Sequence, residues 1–470
     1  MTVNPFETVR VIATKEWWLL ARDGRIRLLT VVLMMLLLAA IASGWVSAKR
    51  WQADADAAAA QDRVTWLSQD ARNPHSVAHF GQYAFKPAGA LAFFDPGVSA
   101  TLGSGIWMEA HYQNPATFRQ ADTGASRLGG LSAAWLLQLG MPLLILLAGF
   151  AAFAGEREAG TLRLQLLQGA SWWRLLAGKA LALTTLAAFL WLPIALALLI
   201  LSADAARAIT AMLAYGAYAL VWVGLTLAVS GWAAQARSAL AILLALWLGS
   251  TLLLPRVAAD VAERIHPSPV AERFWADVGK AQREGIDGHN PSDTRTAKLL
   301  QDTLAHYGVQ DEAALPVSFV GIALQASELD SNAIFDRFFG NLWAVYQRQH
   351  STRLAFSALS PLPALQALSQ RAASTDLGHH RHFVDAAEAH RRGLQHFLNG
   401  DITQHAKGVE SDYRAPTELW ARAPVWQYQA PLQAAGGSLT LSALILLAWV
   451  MASAGLAMLS ARQLVRKGGR

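Results

Sequence analysis

The sequence contains no cysteine and few charged residues. Among 470 residues, the absence of cysteine excludes disulfides, iron–sulfur clusters and thiolate metal sites. Only 15% of the residues are Asp, Glu, Lys or Arg, whereas soluble domains carry about 25%. The signatures of P-loop ATPases (G-x-x-x-x-G-K-[ST]), zinc peptidases (H-E-x-x-H) and serine hydrolases (G-x-S-x-G) are also missing. We therefore expect no catalytic residue and no cofactor in this chain.

Six apolar runs are each long enough to cross a membrane as a helix, which takes about 20 residues. Lipid offers no partner to backbone N–H and C=O groups, so such runs fold as helices. The sequence therefore predicts an all-α integral membrane protein. The six predicted spans are residues 28–47, 131–153, 177–201, 209–232, 239–255 and 437–459.

The segments between the spans differ in charge from one side of the membrane to the other. Four short segments on one side hold 14 Lys and Arg against 5 Asp and Glu, whereas the two long loops hold 7 against 7 and 17 against 20. The short segments are 1–27, 154–180, 233–238 and 460–470, and the loops are 48–130 and 256–436. The positive-inside rule predicts that the basic side, with both termini, is cytoplasmic in a bacterial inner membrane. Basic residues at membrane ends indicate lipid contact and argue against nucleic acid.

The N-terminal segment 1–27 predicts an amphipathic helix over residues 5–26. Apolar residues recur there at spacings of three and four, while Arg10 and Lys15 stay polar. Trp17 and Trp18 are typical of the headgroup layer. We interpret the segment as a helix that lies in the cytoplasmic interface before the first span. The alternative is an N-terminal extension of that span.

The two long loops predict a domain outside the membrane. Loop 48–130 begins with a helical, alanine-rich run and then mixes Gly, Pro and aromatic residues, which favours short strands. Loop 256–436 is long enough for a domain and reads as mostly helical. We expect the first loop to pack on the second in the periplasm, and residues 460–470 to form a basic cytoplasmic tail.

All 13 histidines lie in these two loops. On a helix, His379 and His382 could share a face with Asp376 one turn before, and histidine clusters can bind metal. The alternative is that histidine is tolerated in aqueous domains and avoided in lipid. Without cysteine or a set of three or four ligands, we expect no metal site. If a metal binds at all, His379 and His382 are the candidate ligands.

The stretch "GEREAGTLRLQLLQGASWWRLLAGK" (155–179) lies between the second and third spans. A helix that starts near Glu156 is expected to place Leu162, Leu166 and Leu167 on an apolar side. Glu156 and Glu158 are expected to face water or another protein. The stretch then returns to the membrane on two tryptophans. A plain connector needs neither a defined helix nor this aromatic return, so the pattern indicates a contact surface.

This stretch resembles the cytoplasmic loop of the type-2 ABC exporter permeases, which often carry "ERExGTL" there and a "GK" pair at its end. The turn "QGASWWR" departs from the family, which usually has a proline at that place. The count of six spans, the N-terminal helix and the missing ATPase motif fit the same family. The long loops look like a branch with a large periplasmic domain of unknown function. The matching residues are Glu156, Arg157, Glu158, Gly160, Thr161, Leu162, Gly178 and Lys179.

The resemblance implies a permease subunit of an ABC exporter. Two permease chains, identical or sisters, would bind two cytoplasmic ATPase subunits, which hold the ATP and the magnesium. Residues 154–176 would form the coupling helix and the return to the membrane. Glu156 and Glu158 would pair with basic ATPase residues or cap the helix through its dipole. The residues expected to couple to the ATPase are Glu156, Arg157, Glu158, Gly160, Thr161, Leu162 and Leu166.

Two alternatives to export stay open at this point. The complex could use ATP to move its periplasmic domain against a partner protein, with nothing crossing the bilayer. The chain could also be a membrane scaffold that works without ATP. The spans contain almost no ionisable residue, which argues against an ion-coupled carrier. No residue of the spans indicates the substrate, and the large domain is interpreted as a lid or as a dock for a periplasmic partner.

Overall fold

The computed structural model describes residues 5–103, 105–109, 117–118, 131–202, 204–285, 292–406, 413–431 and 439–468. Parts of the predicted first loop, 110–116 and 119–130, and the end of the predicted basic tail lie outside these residues. Helices dominate the described chain, and one small sheet accompanies them.

Eighteen α-helices follow one another in the described residues. They are α1 (Pro5–Arg22), α2 (Gly24–Leu67), α3 (Pro74–Ala78), α4 (Ser99–Leu102), α5 (Ala133–Gly149), α6 (Ala154–Glu158), α7 (Thr161–Leu167), α8 (Trp172–Leu201), α9 (Ala205–Trp232), α10 (Ala236–Leu248), α11 (Leu254–Ile265), α12 (Ala271–Glu284), α13 (Ser292–Tyr307), α14 (Phe319–Ala355), α15 (Leu362–Ala373), α16 (Leu377–His405), α17 (Glu418–Arg422) and α18 (Leu439–Gly468). The strands are β1 (Gln82–Phe85), β2 (Gly105–Met108) and β3 (Thr117–Phe118).

Six helical segments of the described chain are long and apolar enough to cross a membrane, which confirms the predicted count. Each has a strongly apolar window with at most two charged residues. The segments are Gly24–Leu67, Ala133–Glu158, Trp172–Leu201, Ala205–Trp232, Ala236–Ile265 and Leu439–Leu464. We call them spans 1 to 6 in this order.

The N-terminal helix α1 is separated from span 1 by a single residue, Asp23. The carboxylate of Asp23 accepts hydrogen bonds from the backbone N–H groups of Arg25 (2.8 Å) and Ile26 (3.4 Å) and so caps α2. Helix α2 then continues without a break through span 1 and the alanine-rich run, over 44 residues. Because alanine is the strongest helix former, the alanine-rich run after the predicted span 28–47 extends the same helix.

Span 5 passes through Pro255 without ending, although the predicted span stops there. A π-helical turn, Gly249–Leu253, precedes this proline, and the N–H of Leu254 bonds to the carbonyl of Gly249. Proline lacks an N–H and normally disrupts the helical ladder. Here it falls in the first turn of α11, directly after hydrogen bonding has shifted by one residue. Span 5 therefore continues through the proline as α11, up to Ile265.

Span 4, formed by α9, is the centre of the membrane part and packs closely on α18. Gly224 and Gly231 of α9 face Ser453 and Ser460 of α18. A Cβ atom on Gly224 would lie 2.8 Å from the Oγ of Ser453, closer than real Cβ contacts. The hydroxyl of Ser460 also donates to the carbonyl of Ala228 at 2.9 Å. Small residues therefore allow these two backbones to approach each other.

The large domain, residues 51–109 and 266–431 where described, joins the two long loops. Strand β1 pairs antiparallel with β2, and β2 with β3, so the predicted strands of the first loop are confirmed. The Nε1–H of Trp66 donates to the carbonyl of Trp420 at 2.9 Å, and Arg72 forms a β-bridge with Ala415. A separate apolar cluster joins Ala84 and the sheet to Phe383 of α16. The first loop therefore packs on the second, as the sequence predicts.

Candidate functional site: the hairpin and its charged junction

Two short helices, α6 and α7, form a hairpin where the sequence predicts one helix starting near Glu156. Helix α6 ends at Glu158 and α7 begins at Thr161. Gly160 lies between them with a φ of +72°, in the left-handed region that glycine adopts without strain. The prediction of a single helix is wrong, because the leucine spacing carries no information about this break in the helix at Gly160.

Helix α7 packs through one side and exposes the other. Leu162 is buried and Leu166 half-buried, whereas Leu164 and Leu167 are 58% and 76% exposed. Five positions along a helix turn the side chain by about 140°, so Leu167 faces away from Leu162. The predicted grouping of Leu167 with Leu162 is therefore wrong, while that of Leu166 with Leu162 is confirmed.

The remaining hairpin residues add polar groups around the exposed leucines. Glu158, Gly160, Thr161 and Arg163 are all exposed. The hydroxyl of Thr161 donates to the carbonyl of Glu156 at 3.3 Å, which links the start of α7 to α6. The hairpin thus presents an apolar pair of leucines bordered by one acid and one base.

Helix α6 is bound to the end of span 4. The Oγ of Ser230 accepts hydrogen bonds from the N–H groups of Phe153 (2.9 Å) and Ala154 (3.3 Å) at the start of α6. The guanidinium of Arg157 donates to the carbonyls of Gly231 (2.5 Å) and Ala233 at the end of α9. A cation on these carbonyls is favourable because the C-terminal end of a helix dipole is negative. Arg157 therefore links the hairpin to span 4.

Four charged residues meet where α1, α6 and α8 come together. We call Lys15, Glu16, Glu156 and Lys179 the charged junction. The Nζ of Lys179 lies 2.6 Å from the Oε1 of Glu16 and 3.0 Å from the Oε1 of Glu156. The Nζ of Lys15 lies 2.6 Å from the Oε1 of Glu156 and 3.0 Å from that of Glu16. The two cations and two anions thus alternate, and their charges cancel.

Burial is uneven within the charged junction. The side chain of Lys179 is 1% exposed and those of Glu16 and Glu156 are 14% and 13% exposed, whereas Lys15 is 44% exposed. Burial alone would lower the pKa of Lys15, but its hydrogen bond to Glu156 and the charge of Glu16 outweigh burial and raise that pKa. A buried ammonium keeps its charge only with such partners. Lys179 is therefore the residue on which the junction depends.

Glu156 does not face water, in contrast to the prediction. Its basic partners, Lys15 and Lys179, belong to its own chain. Lys15 lies 141 residues earlier in the sequence. Sequence reasoning missed Glu16 and Lys15, since a polar side of an amphipathic helix looks solvated. One signal was present: Lys179 is a lysine inside a predicted span, and such a residue requires a partner.

Helix α1 lies close to α8 because position 178 is glycine. A Cβ atom on Gly178 would lie 2.5 Å from the Cγ2 of Ile12 and 3.1 Å from the carbonyl oxygen of Val9. The contact brings α1 within reach of the next residue, Lys179. Trp17 packs partly against the core, whereas Trp18 is 56% exposed. Of the two predicted interfacial tryptophans, Trp18 is thus the one available to a headgroup layer.

A cavity of about 1230 Å³ adjoins the charged junction. Helix α1, the end of α5, the hairpin and the first turns of α8 form its walls. Glu156 and Gln165 line this cavity beside Lys15 and Lys179. The cavity separates the hairpin from α1 at this place, so the charged junction is one of the contacts that connect them.

The opposite end of span 4 is joined to the large domain by the guanidinium of Arg207, which donates to the carbonyls of Arg371 (3.2 Å) and Pro431 (3.0 Å), and by a set of neutral hydrogen bonds. The Nε2–H of Gln138 donates to the hydroxyl of Tyr215 at 3.0 Å, and that hydroxyl lies 3.2 Å from the Oγ of Ser369. Ser369 in turn donates to the Oδ2 of Asp95 at 2.5 Å. Tyr215, Ser369 and Asp95 are buried. Burial raises the pKa of Asp95 although Ser369 and the N–H of Gly97 donate to it.

Two further titratable groups are buried in the large domain. Lys86 is 4% exposed, its Nζ lies 3.4 Å from the Oγ of Ser99, and no described carboxylate pairs with it. Burial, opposed in part by the charge of Asp376, lowers the pKa of Lys86 to about 8. Burial and the charge of Lys86 lower the pKa of His380 to about 4. These groups lack the facing counter-charges of the charged junction.

The predicted metal candidates do not converge. The Nδ1 of His379 lies 2.6 Å from the Oδ2 of Asp376, and its Nε2 lies 3.3 Å from the carbonyl oxygen of Pro431. His382 contacts the hydroxyl of Tyr428 at 3.1 Å instead. Within the described residues, no three His, Cys, Asp or Glu side chains are grouped to hold a metal ion.

Comparison with known proteins gives one family match. Residues 271–429 match the family described as "Domain of unknown function (DUF3526)". The match covers about a third of the chain and falls within the large domain, on α12 to α17. No curated protein matches the sequence. The chain thus combines six membrane helices with a large domain that is similar to this family.

Proposed function

We propose that this chain is the permease subunit of an ATP-driven transporter of the type-2 ABC exporter kind. A separate ATPase subunit, which holds ATP and magnesium, docks on the hairpin. Two copies of this chain, or one copy and a sister chain, assemble with two ATPase subunits. ATP binding brings the ATPases together and favours one conformation of the spans over another, since only differential binding shifts such an equilibrium. The substrate is exported.

The observation that carries the proposal is that the hairpin is exposed on one side and bound to three helices on the other. Leu164 and Leu167 project outward. Arg157 binds the end of α9, and Glu156 binds lysines of α1 and α8. A force applied to the exposed side therefore reaches spans 3 and 4 and α1 together. A connector between two spans has no need of such links.

The proposed orientation places the hairpin, α1 and both termini in the cytoplasm of a bacterial cell, and the large domain in the periplasm. It is supported by the excess of Lys and Arg in the four short segments. An ATPase subunit is cytoplasmic, so this orientation is the one that the docking requires. Membrane lipids surround the six spans.

A second candidate function is supported by the geometry of α9. This helix of 28 residues is about 42 Å long. Arg157 is bound at one end, and Tyr215 is joined to Ser369 of the large domain towards the other. The same rod could therefore transmit ATP-driven motion to the large domain and from there to a periplasmic protein. In that case nothing would cross the bilayer.

The test of docking is the affinity of the purified chain, in lipid nanodiscs, for the ABC ATPase subunits of the same organism. Leu167→Asp places a charge on the exposed side of α7 and should weaken the association at least tenfold. Leu329→Asp is the matched control, because Leu329 is 60% exposed on α14 in the large domain. Equal affinities for both variants and the wild type would contradict docking on the hairpin. Absence of any association would favour a scaffold that works without ATP.

The variant Tyr215→Phe distinguishes export from mechanical transmission by its effect on the motion of the large domain. If the large domain is moved through the hydrogen bonds of Tyr215, their loss should uncouple domain motion from ATP turnover. Distances between spin labels on α14 and α18, measured with and without ATP, report this motion. Motion that is abolished while ATPase activity persists favours transmission. Motion that is unchanged favours export.

A further inference from the structure

Two neighbouring cavities lie between the large domain and the ends of spans 5 and 6. Their volumes are about 770 Å³ and 290 Å³. Pro255 of span 5 lines the larger cavity, and Leu439 and Ser442 of α18 line the smaller. Trp343 and Leu354 of α14 line both. The pair is therefore at the boundary between the membrane helices and the large domain.

The walls of the larger cavity are mostly apolar, with both neutral and charged polar groups placed among them. Trp343 and Tyr346 supply aromatic surface. Gln366 and Gln370 supply amides. A volume within 300–1000 Å³ and apolar walls with few polar groups are typical of sites for small molecules.

Charged side chains around the two cavities do not favour an anion. Asp260 and Glu263 line the larger cavity with Arg353, and Glu263 is held by Ser268 and Gln349. In the smaller cavity two acids accompany two arginines. These are Asp376, Asp385, Arg371 and Arg381. A phosphate or carboxylate group would find no excess of positive charge in these walls.

His380 provides a polar group that lacks a partner. It lines the larger cavity, is 4% exposed, and its Nδ1 has no hydrogen-bond partner in the described residues. The lowered pKa, about 4, keeps its ring neutral at physiological pH. A buried polar atom without a partner costs free energy that a ligand can recover. A neutral imidazole suits a hydroxyl or an amide, because it offers one donor and one acceptor.

We propose that the two cavities bind an uncharged amphiphile, a molecule with an apolar body and a hydroxyl or amide group of the acylglycerol or fatty-alcohol kind. The apolar body contacts Trp343, Tyr346 and Leu354. The hydroxyl or amide group binds at His380. The site lies at the end of span 5 that is opposite the hairpin, and its existence does not depend on an ATPase.

The test uses the full chain in lipid nanodiscs and a monoacylglycerol that carries a photoreactive diazirine in its acyl chain. Saturable labelling of peptides from residues 343–370 is the expected result. Ala367→Trp fills the wall shared by both cavities and should abolish the labelling, whereas Ala389→Trp, on the exposed side of α16, should not. Unsaturable labelling along the spans alone would overturn the proposal.

His380→Phe keeps a ring in place and removes the hydrogen bond. We expect a fivefold to tenfold rise in the half-saturating probe concentration, the effect of one neutral hydrogen bond. His396→Phe is the control, because His396 is exposed on the same helix. Equal effects of both variants, or equal labelling by a diazirine fatty acid, would contradict the proposal. If His380→Phe does not fold, the Ala367→Trp result decides.

Discussion

The two ends of span 4 bury polar groups in different ways. At the hairpin, each charge of the junction faces an opposite charge within 3.0 Å, as Lys179 does with Glu16 and Glu156. At the large-domain end, Arg207 pairs with Asp204 at 3.0 Å, but within the large domain Lys86 and Asp95 are buried without a facing counter-charge in the described residues, and Asp95 is held by neutral donors. Both ends are connected to the same helix, α9. They differ in whether the buried charged groups face a counter-charge.

This difference implies different responses to mutation and pH. Paired charges in a buried place fail when one partner is removed, because the other charge is left alone. Buried groups without a counter-charge have shifted pKa values and change protonation when the pH moves. The hairpin end is therefore sensitive to substitution, and the large domain is sensitive to acid.

The largest effect is expected from Lys179→Met, which leaves Glu16 and Glu156 with only the exposed Lys15. The free energy of unfolding should fall by about 3–5 kcal/mol, the usual cost of breaking a buried ion pair. SDS titration in mixed micelles measures this change. Lys15→Met should cost at most about 1 kcal/mol, because Lys15 is 44% exposed. Equal losses for both variants would show that the junction does not depend on Lys179.

Acid should destabilise the large domain through His380. Its pKa is about 4 in the folded chain and about 6.5 when unfolded, so unfolding takes up a proton between these values. The contribution of the neutral His380 ring to the free energy of unfolding is complete above pH 6.5 and is lost as the pH falls towards 4. From pH 7 to pH 5 the loss should be about 2 kcal/mol.

Thermal unfolding at several pH values measures this effect, with His380→Phe as the test variant. The variant should lose this part of the acid sensitivity, while His396→Phe should retain it. The difference between variants isolates His380 from Asp95, whose raised pKa acts in the opposite direction. A pH dependence of stability that is unchanged in His380→Phe would contradict the assignment of the acid sensitivity to His380.

A smaller effect is expected from Tyr215→Phe at the large-domain end. The change removes a hydroxyl that accepts from Gln138 and contacts Ser369. One buried neutral hydrogen bond is worth about 1–2 kcal/mol when a partner is left unsatisfied. SDS titration gives the value, and Tyr307→Phe, at a tyrosine that is 40% exposed, is the control. A cost as large as that of Lys179→Met would remove the distinction between the two ends.

The smallest effect on stability is expected from Glu158→Arg. Glu158 is exposed on the hairpin beside the charged junction but outside it. Exposed substitutions of this kind usually change the free energy of unfolding by less than about 0.5 kcal/mol. The same SDS titration checks this value. A loss comparable to that of Lys179→Met would mean that Glu158 belongs to the junction.

The sequence was sufficient for features that depend on local pattern. Hydropathy predicts six spans, and the three- and four-residue spacing from Val9 to Ile12 and Ala13 predicts α1, because lipid and helix periodicity act residue by residue. The hairpin break at Gly160 and the ion pairs of Glu156 were not predictable in this way. The first depends on one backbone angle, and the second on lysines from two other helices.

The most direct test of the central claim is the ATPase activity of the reconstituted complex in nanodiscs, for the wild type and Glu158→Arg. We expect the variant to fold normally and its permease-dependent ATPase activity to fall at least tenfold, because the reversed charge lies on the docking side of the hairpin. Activity equal to the wild type, in a complex that assembles, would contradict the claim that the hairpin receives force from an ATPase.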